Sequence, residues 1–392
     1  MCARKKIMEG GVMRIAYFNA NLKVGQDGVT RCVYKMVEGV VERGHKAIAI
    51  TSTLPIGETQ IPVYGVPSVV LPLQKNYRIA LPGYQSFARH LQEFQPDILH
   101  INSPCTLGFA AVKYARHFGI PVIATYHTHF PTYPRYYNLT SLEDLAWRLL
   151  RRLYNNVDRT LVPTTPILQE LRDHGVERLE YLPNGVDTAV FNPLYRSNEW
   201  RQKFSNGEKP IILFVSRLVW EKDLRILAQT YHELRSKRSD FEMVIVGDGH
   251  ARQELEAMMP GAHFLGYQSG KTLTESFASA DIFVFPSTTE TFGLVTLEAM
   301  ASGLAPVAAK VGGAVEIIQE GSSGLFAEPL SSPDLTKKVE WLLDNPNHRK
   351  VIADHALARA QEYRWGRILD QLFESYKEVI EEFRLRRFPR AA

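Results

Sequence analysis

Short apolar runs alternate with longer amphipathic stretches along the first half of the chain. Residues Val29–Arg43 place apolar side chains at helical spacing, and Gly44 follows as the expected helix end. The apolar runs have the length of buried strands, and they are Arg14–Phe18, Lys46–Ile50, Asp97–Ile101, Val122–Thr125 and Arg159–Val162. Strands that alternate with helices predict parallel βαβ units.

The same alternation restarts after an interruption. Asn192-Pro193 and the polar stretch Ser205–Pro210 have the composition of a linker. The second series of predicted strands is Ile211–Val215, Glu242–Val246, Ala262–Leu265, Asp281–Phe285 and Ala305–Ala309.

These patterns predict an α/β protein with two doubly wound, Rossmann-like domains that face a central cleft. The predicted domains are residues 13–195 and 205–365, and residues 1–12 are a predicted flexible leader. A final helix over 366–388 is expected to pack back on the first domain, although periodicity alone does not identify its partner.

Composition is that of a folded, water-soluble protein. The chain is 45% hydrophobic and 22% charged, which is typical of a globular protein. Its length of 392 residues favours two domains over one. The formal charge of +4 excludes neither a nucleic-acid partner nor an anionic surface, and we expect no nucleic-acid partner. Cys2, Cys32 and Cys105 show no metal-ligand spacing and fit reduced thiols. With no membrane-spanning apolar run and no secretory signal, a cytoplasmic location is predicted.

The segment Pro286–Gly303 contains two glutamates eight positions apart, around a predicted strand-to-helix turn. Glu290 could accept hydrogen bonds from sugar hydroxyls, and Glu298 could reach a ribose from one turn into the helix. Backbone N–H groups that open this helix could bind phosphate, and they belong to Phe292, Gly293, Leu294 and Val295. The alternative is an ordinary strand, loop and helix with solvated glutamates.

Two cations follow the first strand of the second series. Arg217 and Lys222 lie in one loop at a carboxyl strand edge, where they suit the diphosphate of a nucleotide. The alternative is a surface loop in which Lys222 pairs with Glu221. Gly247, at the end of the next strand, could allow close approach of a base, and a simple turn is an equal alternative.

In the first domain, Asp27 and Gly28 precede a helix, so their amides could face a phosphate or an acceptor hydroxyl. His127 and His129 follow the strand Val122–Thr125. We assign His127 to the reacting centre or a sugar hydroxyl, and His129 with Asp27 to the acceptor. Structural histidines remain an alternative, and a zinc site lacks a third ligand at suitable spacing.

No motif points to a cofactor or a metal. The sequence has no P-loop, no Cys-x-x-Cys, no Ser-His-Asp signature and no Asp-x-Asp. Around a nucleotide-sugar, Arg217, Lys222 and the helix amides must then do the work of a metal ion.

Together these residues resemble family 4 of the retaining glycosyltransferases, which has the GT-B fold. The similarity runs from about Met13 to the final helix, and Leu182–Asp187 looks like the family's motif near the end of the first domain. The resemblance implies that Glu290 binds the donor hexose, Glu298 the ribose, and Arg217 with Lys222 the diphosphate. It also implies front-face attack, in which the leaving phosphate helps to deprotonate the acceptor.

Local motifs look like the lipid-directed branch, which includes GDP-mannose-dependent α-mannosyltransferases and sulfoquinovosyl-diacylglycerol synthases. GDP-mannose is the favoured donor, with UDP-hexose or UDP-sulfoquinovose as alternatives, and a membrane lipid or a glycan is the expected acceptor. Asp27 departs from the family, because many members have glycine there. The rival functions are a sugar-nucleotide epimerase, a phosphorylase and a non-catalytic sugar-nucleotide sensor.

The stretch 142–159 could touch an anionic membrane from the cytoplasmic side. Its apolar residues fall near one helical face with arginines alongside, and they are Leu142, Leu145, Ala146, Leu149, Leu150 and Leu153, with Arg148, Arg151, Arg152 and Arg159. The alternative is a helix that packs on its own domain and exposes its arginines to water.

Overall fold

The chain divides into two compact units. The structure, a computed structural model, describes residues 11–22, 28–71, 74–81, 83–127, 143–206, 208–290 and 292–387. The first unit comprises residues 1–183 and 366–392, and the second comprises residues 184–365. The leader predicted for residues 1–12 lies mostly outside the described residues.

The division between the units comes earlier than the predicted boundary at residue 195. Val186, Phe191 and Trp200 pack in the core of the second unit, which places them with that unit. The stretch interpreted as a linker instead contains a 3₁₀ turn, Pro193–Tyr195, and a helix, Asn198–Ser205. Its polar residues are used in capping, since Ser197 accepts a hydrogen bond from the Trp200 N–H.

In the first unit, described strands form a parallel sheet flanked by helices. The strands are β1 (Arg14–Asn19), β2 (Lys46–Thr51), β3 (Val63–Gly65), β6 (Ile98–Ile101), β7 (Val122–Thr125), β8 (Arg159–Val162) and β9 (Leu179–Tyr181), in the order β3-β2-β1-β6-β7-β8-β9. A separate antiparallel hairpin consists of β4 (Ser68–Leu71) and β5 (Gln74–Ala80). The helices are α1 (Gly28–Glu42), α2 (Gln85–Phe94), α3 (Thr106–Phe118), α4 (Glu143–Tyr154) and α5 (Thr165–Asp173).

The second unit has the strand order of a Rossmann fold. Its strands are β10 (Ile211–Val215), β11 (Glu242–Val246), β12 (His263–Phe264), β13 (Ile282–Phe285), β14 (Ala305–Ala309) and β15 (Leu325–Ala327), in the parallel order β12-β11-β10-β13-β14-β15. Its helices are α6 (Asn198–Ser205), α7 (Leu224–Lys237), α8 (Arg252–Met258), α9 (Gly270–Ser279), α10 (Leu294–Ala301), α11 (Ala314–Ile317), α12 (Ser332–Asp344) and α13 (Pro346–Gln361). A 3₁₀ turn at Trp220–Lys222 precedes α7.

Each sheet reverses its strand order once, between β1 and β6 in the first unit and between β10 and β13 in the second. At such a point the loops leaving the two neighbouring strands run to opposite faces of the sheet, which opens a crevice at their carboxyl ends. The side chains of these central strands are buried on both faces and most are apolar, so exposed polar groups come mainly from the loops beyond them.

The last helix, α14 (Trp365–Arg387), packs on the first unit. The buried Tyr376 hydroxyl lies 3.1 Å from the Tyr17 hydroxyl and 2.5 Å from His100 Nδ1. At the surface, Arg159 pairs with Glu378 and Glu382 of this helix, each at 2.6 Å. Apolar packing and these polar contacts together tie α14 to the central strands.

Among the described helices, none combines the length and the apolar character needed to cross a bilayer.

Candidate functional site

The loop after β10 lies at the strand-order reversal of the second unit. Arg217 is exposed there, and the 3₁₀ turn Trp220–Lys222 brings the Lys222 ammonium back toward the sheet, with 11% of its side chain exposed. Asp223 ends this turn at φ 53°, a left-handed conformation that aspartate tolerates better than most residues. Of the two predicted cations in this loop, Arg217 is therefore exposed and Lys222 is nearly buried.

Asp223 also holds the loop after β13 in place. Its Oδ2 accepts hydrogen bonds from the Thr288 N–H and the Thr288 hydroxyl, both at 2.8 Å. The hydroxyl of Thr289 donates to the Glu221 carbonyl oxygen at 3.0 Å. The loops that leave β10 and β13 are thus joined by charge-assisted and backbone hydrogen bonds.

This clamp brings Lys222 and Glu290 together. Lys222 Nζ forms an ion pair with Glu290 Oε1 and lies 3.4 Å from Thr289 Oγ1. Glu290 is 25% exposed on its side chain. The alternative in which Lys222 pairs with Glu221 is wrong, and so is the description of Glu290 as a purely solvated glutamate.

The glycines after β14 pack against the Glu290 loop. A Cβ on Gly312 would lie 2.2 Å from the Glu290 carbonyl oxygen, and one on Gly313 would lie 2.0 Å from the Phe292 carbonyl oxygen. The Gly313 N–H donates to the Glu290 carbonyl at 3.3 Å. Close backbone contact therefore accounts for both glycines without a ligand.

Helix α10 begins beside this loop. Gly293 takes φ 85°, which turns the chain into the helix, and Phe292 is buried just before it. Leu294 and Val295 are its first residues, so the helix itself offers no acceptor for their N–H groups. Glu298 lies inside the helix and is only 7% exposed, which excludes the solvated alternative for this carboxylate.

Gly247 packs against the backbone of the loop that carries Arg217. At φ 139° its Cβ position lies 1.8 Å from the Ser216 carbonyl oxygen, so only glycine fits. The Leu218 N–H also donates to the Asp248 carbonyl oxygen at 2.9 Å. The close approach for which Gly247 was singled out is an approach to the chain's own backbone, and contact with a base stays a prediction.

Polar side chains also collect at the strand-order reversal of the first unit. Asn19 ends β1 and is 2% exposed, and Asn102, also 2% exposed, follows β6. Among the described residues, neither the Asn19 amide atoms nor Asn102 Nδ2 has a hydrogen-bond partner. Buried amide groups are costly to leave unpaired, so this edge suits a ligand that carries hydroxyl groups.

His127, two residues beyond β7, adjoins the same edge. Its Nε2 lies 3.1 Å from Asn102 Oδ1, and the side chain is buried. An amide oxygen only accepts hydrogen bonds, so Nε2 carries a proton and, in the neutral ring, Nδ1 is an acceptor. Burial lowers the pKa of His127 to about 4, which keeps this ring neutral at pH 7. His127 is thus equipped to accept a hydrogen bond from a hydroxyl.

Two of the predicted first-domain residues, Asp27 and His129, lie outside the described residues. Gly28 is the first residue of α1, one position before the predicted helix start at Val29. The zinc alternative depends on His129 and so also falls outside the described residues. Elsewhere in the described ranges, no three His, Cys, Asp or Glu side chains come together as metal ligands would.

Two family models cover nearly the whole chain. Residues 26–190 match the model described as Glycosyltransferase Family 4, and residues 196–359 match Glycosyl transferases group 1. A GDP-mannose-dependent alpha-mannosyltransferase of Corynebacterium glutamicum is 35% identical over 376 residues, which are 94% of this chain and 89% of that protein. The chain belongs to glycosyltransferase family 4.

Two further relatives of this glycosyltransferase are named for other sugars. A sulfoquinovosyl transferase of Arabidopsis thaliana is 35% identical over 83% of this chain and 65% of its own length. The alpha-monoglucosyldiacylglycerol synthase of Streptococcus pneumoniae is 26% identical over 76% of this chain and 71% of its own.

The fold of this glycosyltransferase is GT-B. The structure of sucrose-phosphate synthase from Thermosynechococcus elongatus superimposes with a TM-score of 0.78 at 18% identity, over 94% of this chain and 100% of that one. The predicted fold class, two Rossmann-like α/β domains, is confirmed.

The structure brings together only some of the residues predicted for the donor site of this glycosyltransferase. Lys222 and Glu290 are in contact, whereas Arg217 is exposed at the other end of its loop. Sequence reasoning missed Asp223 and Asn102, which position Thr288 and His127. Asp223 had a signal, since it follows Lys222 directly before a helix, whereas Asn102 had none beyond its place after a strand.

Residues 143–159 of the stretch predicted to touch a membrane are described, and their leucines differ in burial. Leu150 and Leu153 face the core of the first unit at 4% and 1% exposure, whereas Leu145 and Leu149 are 43% and 48% exposed. Leu142 lies outside the described residues. Part of the apolar face of α4 therefore packs on its own domain, as in the alternative, while two of its leucines remain at the surface, and membrane contact stays a prediction.

Proposed function

We propose that this glycosyltransferase moves an α-hexosyl group from a nucleotide-sugar to a lipid hydroxyl with retention of configuration. GDP-mannose is the favoured donor, and UDP-hexose or UDP-sulfoquinovose are the alternatives. The names of the mannosyltransferase, sulfoquinovosyl transferase and diacylglycerol-linked relatives support this choice. The contact that carries the proposal is the Lys222–Glu290 ion pair at the strand-order reversal of the second unit.

The second unit holds the donor in this proposal. The ammonium of Lys222, the guanidinium of Arg217 and the first N–H groups of α10 bind the diphosphate. Glu290 accepts hydrogen bonds from hexose hydroxyls, and Glu298 binds the ribose. The donor diphosphate competes with Glu290 for Lys222. Donor binding therefore replaces the ion pair by a contact of Lys222 with the diphosphate and a contact of Glu290 with the hexose.

Transfer requires charge to develop on the leaving phosphate. The bond between the anomeric carbon and the phosphate oxygen breaks, and its electron pair stays on the nucleoside diphosphate. The acceptor oxygen forms the new bond to the anomeric carbon on the same face and gives its proton to a phosphate oxygen. Lys222 and Arg217 lower the barrier because they stabilise the negative charge on that leaving group. His127, neutral and oriented by Asn102, accepts a hydrogen bond from a hydroxyl at the reacting centre.

A donor screen tests the proposal. Purified protein is incubated with GDP- and UDP-sugars, with and without a membrane lipid extract, and nucleotide release and lipid product are measured. Nucleotide release that depends on the lipid extract, with an α-linked glycolipid product, is the expected result. Isomerised donor without acceptor would indicate an epimerase instead, a requirement for inorganic phosphate would indicate a phosphorylase, and donor binding without turnover would indicate a sensor.

The proposal includes independence from divalent metal ions. Arg217, Lys222 and the α10 amides supply the positive charge that a metal ion provides elsewhere. Transfer is therefore expected to survive a chelator. Loss of activity with EDTA, restored by magnesium, would contradict this part of the proposal while leaving the transfer reaction intact.

We also propose that the protein works as a peripheral protein at the cytoplasmic face of an anionic membrane. The observations that support this are the exposed leucines and arginines of α4.

A further inference from the structure

A pocket between α3 and α4 combines an apolar floor with a basic rim. Its volume is about 260 Å³, and it is lined by Phe109, Val112, Lys113, Arg116, Arg152, Leu153 and Asn156. Val112 and Leu153 are buried and form part of the floor, while Lys113, Arg116 and Arg152 are exposed at the rim.

The basic rim is not neutralised by any acid that the structure describes. Within the described residues, no carboxylate forms an ion pair with Lys113, Arg116 or Arg152. Lys113 instead lies over the ring of Tyr84, 5.9 Å from its centroid. Three like charges around one small pocket repel each other, and an anion placed among them relieves that repulsion.

The pocket adjoins an amphipathic surface on α4. Leu145, Arg148, Leu149 and Arg152 follow the spacing i, i+3, i+4, i+7 and so share one face of the helix. Leu145 and Leu149 are 43% and 48% exposed on that face. The cation at one end of this surface, Arg152, is the same residue that contributes to the pocket rim.

We propose that the pocket binds the phosphate of an anionic lipid headgroup while Leu145 and Leu149 enter the headgroup–acyl boundary. Positive charge alone would suit free phosphate equally well. The neighbouring exposed leucines distinguish the two sources, because only a bilayer offers apolar chains beside the phosphate. The geometry therefore points to an anionic bilayer as the occupant and assigns it a specific contact on the first unit.

This inference deepens the proposed function, since it places a lipid-directed enzyme on its substrate's membrane. It uses none of the residues assigned to the donor or to His127. Docking and transfer can therefore be lost separately, which makes their failures distinguishable.

The test compares wild type with three variants on vesicles of phosphatidylglycerol in phosphatidylcholine, with pure phosphatidylcholine as the neutral surface. The pocket variant is Lys113→Gln, Arg116→Gln and Arg152→Gln. The control removes three exposed lysines on other elements by Lys46→Gln, Lys203→Gln and Lys350→Gln, which lowers the net charge by the same amount. The third variant, the leucine variant, is Leu145→Ser with Leu149→Ser.

Wild type and control are expected to bind the anionic vesicles and not the neutral ones. The pocket variant should bind about 100-fold more weakly, since each of the three basic residues near an anionic surface contributes about fivefold. The leucine variant should bind at least tenfold more weakly because its apolar contact is lost. Nucleotide release from the donor in detergent solution should be the same in all four proteins.

Three results would overturn the docking proposal. The first is that wild type does not bind anionic vesicles. The second is that the pocket variant and the control lose binding equally. The third is that the leucine variant binds as wild type does and millimolar inorganic phosphate displaces the protein from the vesicles. The last result would indicate a free-phosphate site. Vesicle binding without any glycosyl transfer would instead contradict the proposed function and leave the docking surface standing.

Discussion

The carboxylate of Glu290 and the ammonium of Lys222 come from loops 68 positions apart in the chain. Both residues were predicted from their places after strands. Their direct contact was not predictable, because it depends on the 3₁₀ turn after β10 and on the Asp223 clamp. The ion pair matters for the proposed function because the Lys222 ammonium, which pairs with Glu290, is also the group proposed to bind the donor diphosphate.

Replacing either member of this pair should lower transfer strongly. We expect Lys222→Gln to reduce kcat by about 100-fold or more, because a fixed charge at the leaving group is lost. Glu290→Gln should reduce kcat/KM while leaving donor binding measurable, because Lys222 is then released to the diphosphate. Steady-state kinetics and donor titration measure both effects.

The matched control is the pair Lys271 and Glu275 on α9, 3.4 Å apart, in which the lysine side chain is 86% exposed. Lys271→Gln and Glu275→Gln should leave kinetics unchanged. Wild-type turnover in both Lys222→Gln and Glu290→Gln would remove these residues from the donor site.

Asp223 is expected to act as a positioning residue for the same loop. In Asp223→Ala, both hydrogen bonds to Thr288 are lost and a left-handed backbone must hold alanine, which costs about 1–2 kcal/mol for the conformation alone. We expect KM for the donor to rise and thermal stability to fall. Asp223→Asn should recover most of both, because asparagine tolerates this conformation and its amide oxygen still accepts from Thr288.

Kinetics and thermal unfolding of the two Asp223 variants provide the check. If alanine and asparagine behave alike, the hydrogen bonds to Thr288 do not position the loop.

At the level of elements, the longer buried strands were predictable, because apolar runs of five or six residues between helical patterns have few other interpretations. Strands β10, β11 and β14 coincide with their predicted bounds. Short strands such as β3, β9 and β15 were missed, since three residues are too few for a periodic signal. The polar composition of β5, which pairs with β4, also hides it from a search for apolar runs.

Helix α14 illustrates a contact that amphipathicity could not assign. Its Tyr376 hydroxyl bridges Tyr17 and His100, and His100 Nε2 in turn lies 2.7 Å from Thr125 Oγ1. This buried chain of hydrogen bonds runs from α14 across three strands of the first sheet. The final helix is thus attached by specific polar contacts as well as by its apolar face.

We expect Tyr376→Phe to destabilise the first unit by about 1–3 kcal/mol, because His100 Nδ1 would lose its partner in a buried site. The ring itself is retained, so packing changes little. Denaturant unfolding and amide hydrogen exchange of α14 measure the effect. Tyr267→Phe, at a position 64% exposed, is the control and should behave like wild type. Equal stability of both variants would show that packing alone holds the helix.

At the scale of the whole molecule, the stability of the first unit is expected to fall in acid because of two buried histidines. Burial lowers the pKa of His127 to about 4, and burial with the nearby His127 lowers the pKa of His100 to about 3. In the unfolded chain both titrate near 6.5. Below that pH the unfolded state binds more protons than the folded first unit, so folding stability falls as the pH is lowered.

The expected slope is up to about 1.4 kcal/mol per pH unit for each of the two histidines between pH 6.5 and about 4, with no contribution from them above pH 7. Calorimetry at several pH values measures it, and the transition of the first unit is the one that Tyr376→Phe lowers. His127→Gln should remove about half of the slope, whereas the exposed His250→Gln should remove none. An unchanged slope in His127→Gln would mean that this histidine is not held neutral by burial.

The sequence by itself determined the class of fold, the family and most of the candidate donor residues. Strand and helix periodicity is local, and loops after parallel strands must meet at one sheet edge, so Glu290 and Lys222 could be assigned to that edge from their positions alone. Only the tertiary structure decided which side chains touch, where the units divide, which leucines of α4 are exposed and where α14 packs. Those features depend on contacts between residues far apart in the chain, and local patterns of apolar and polar positions carry no information about them.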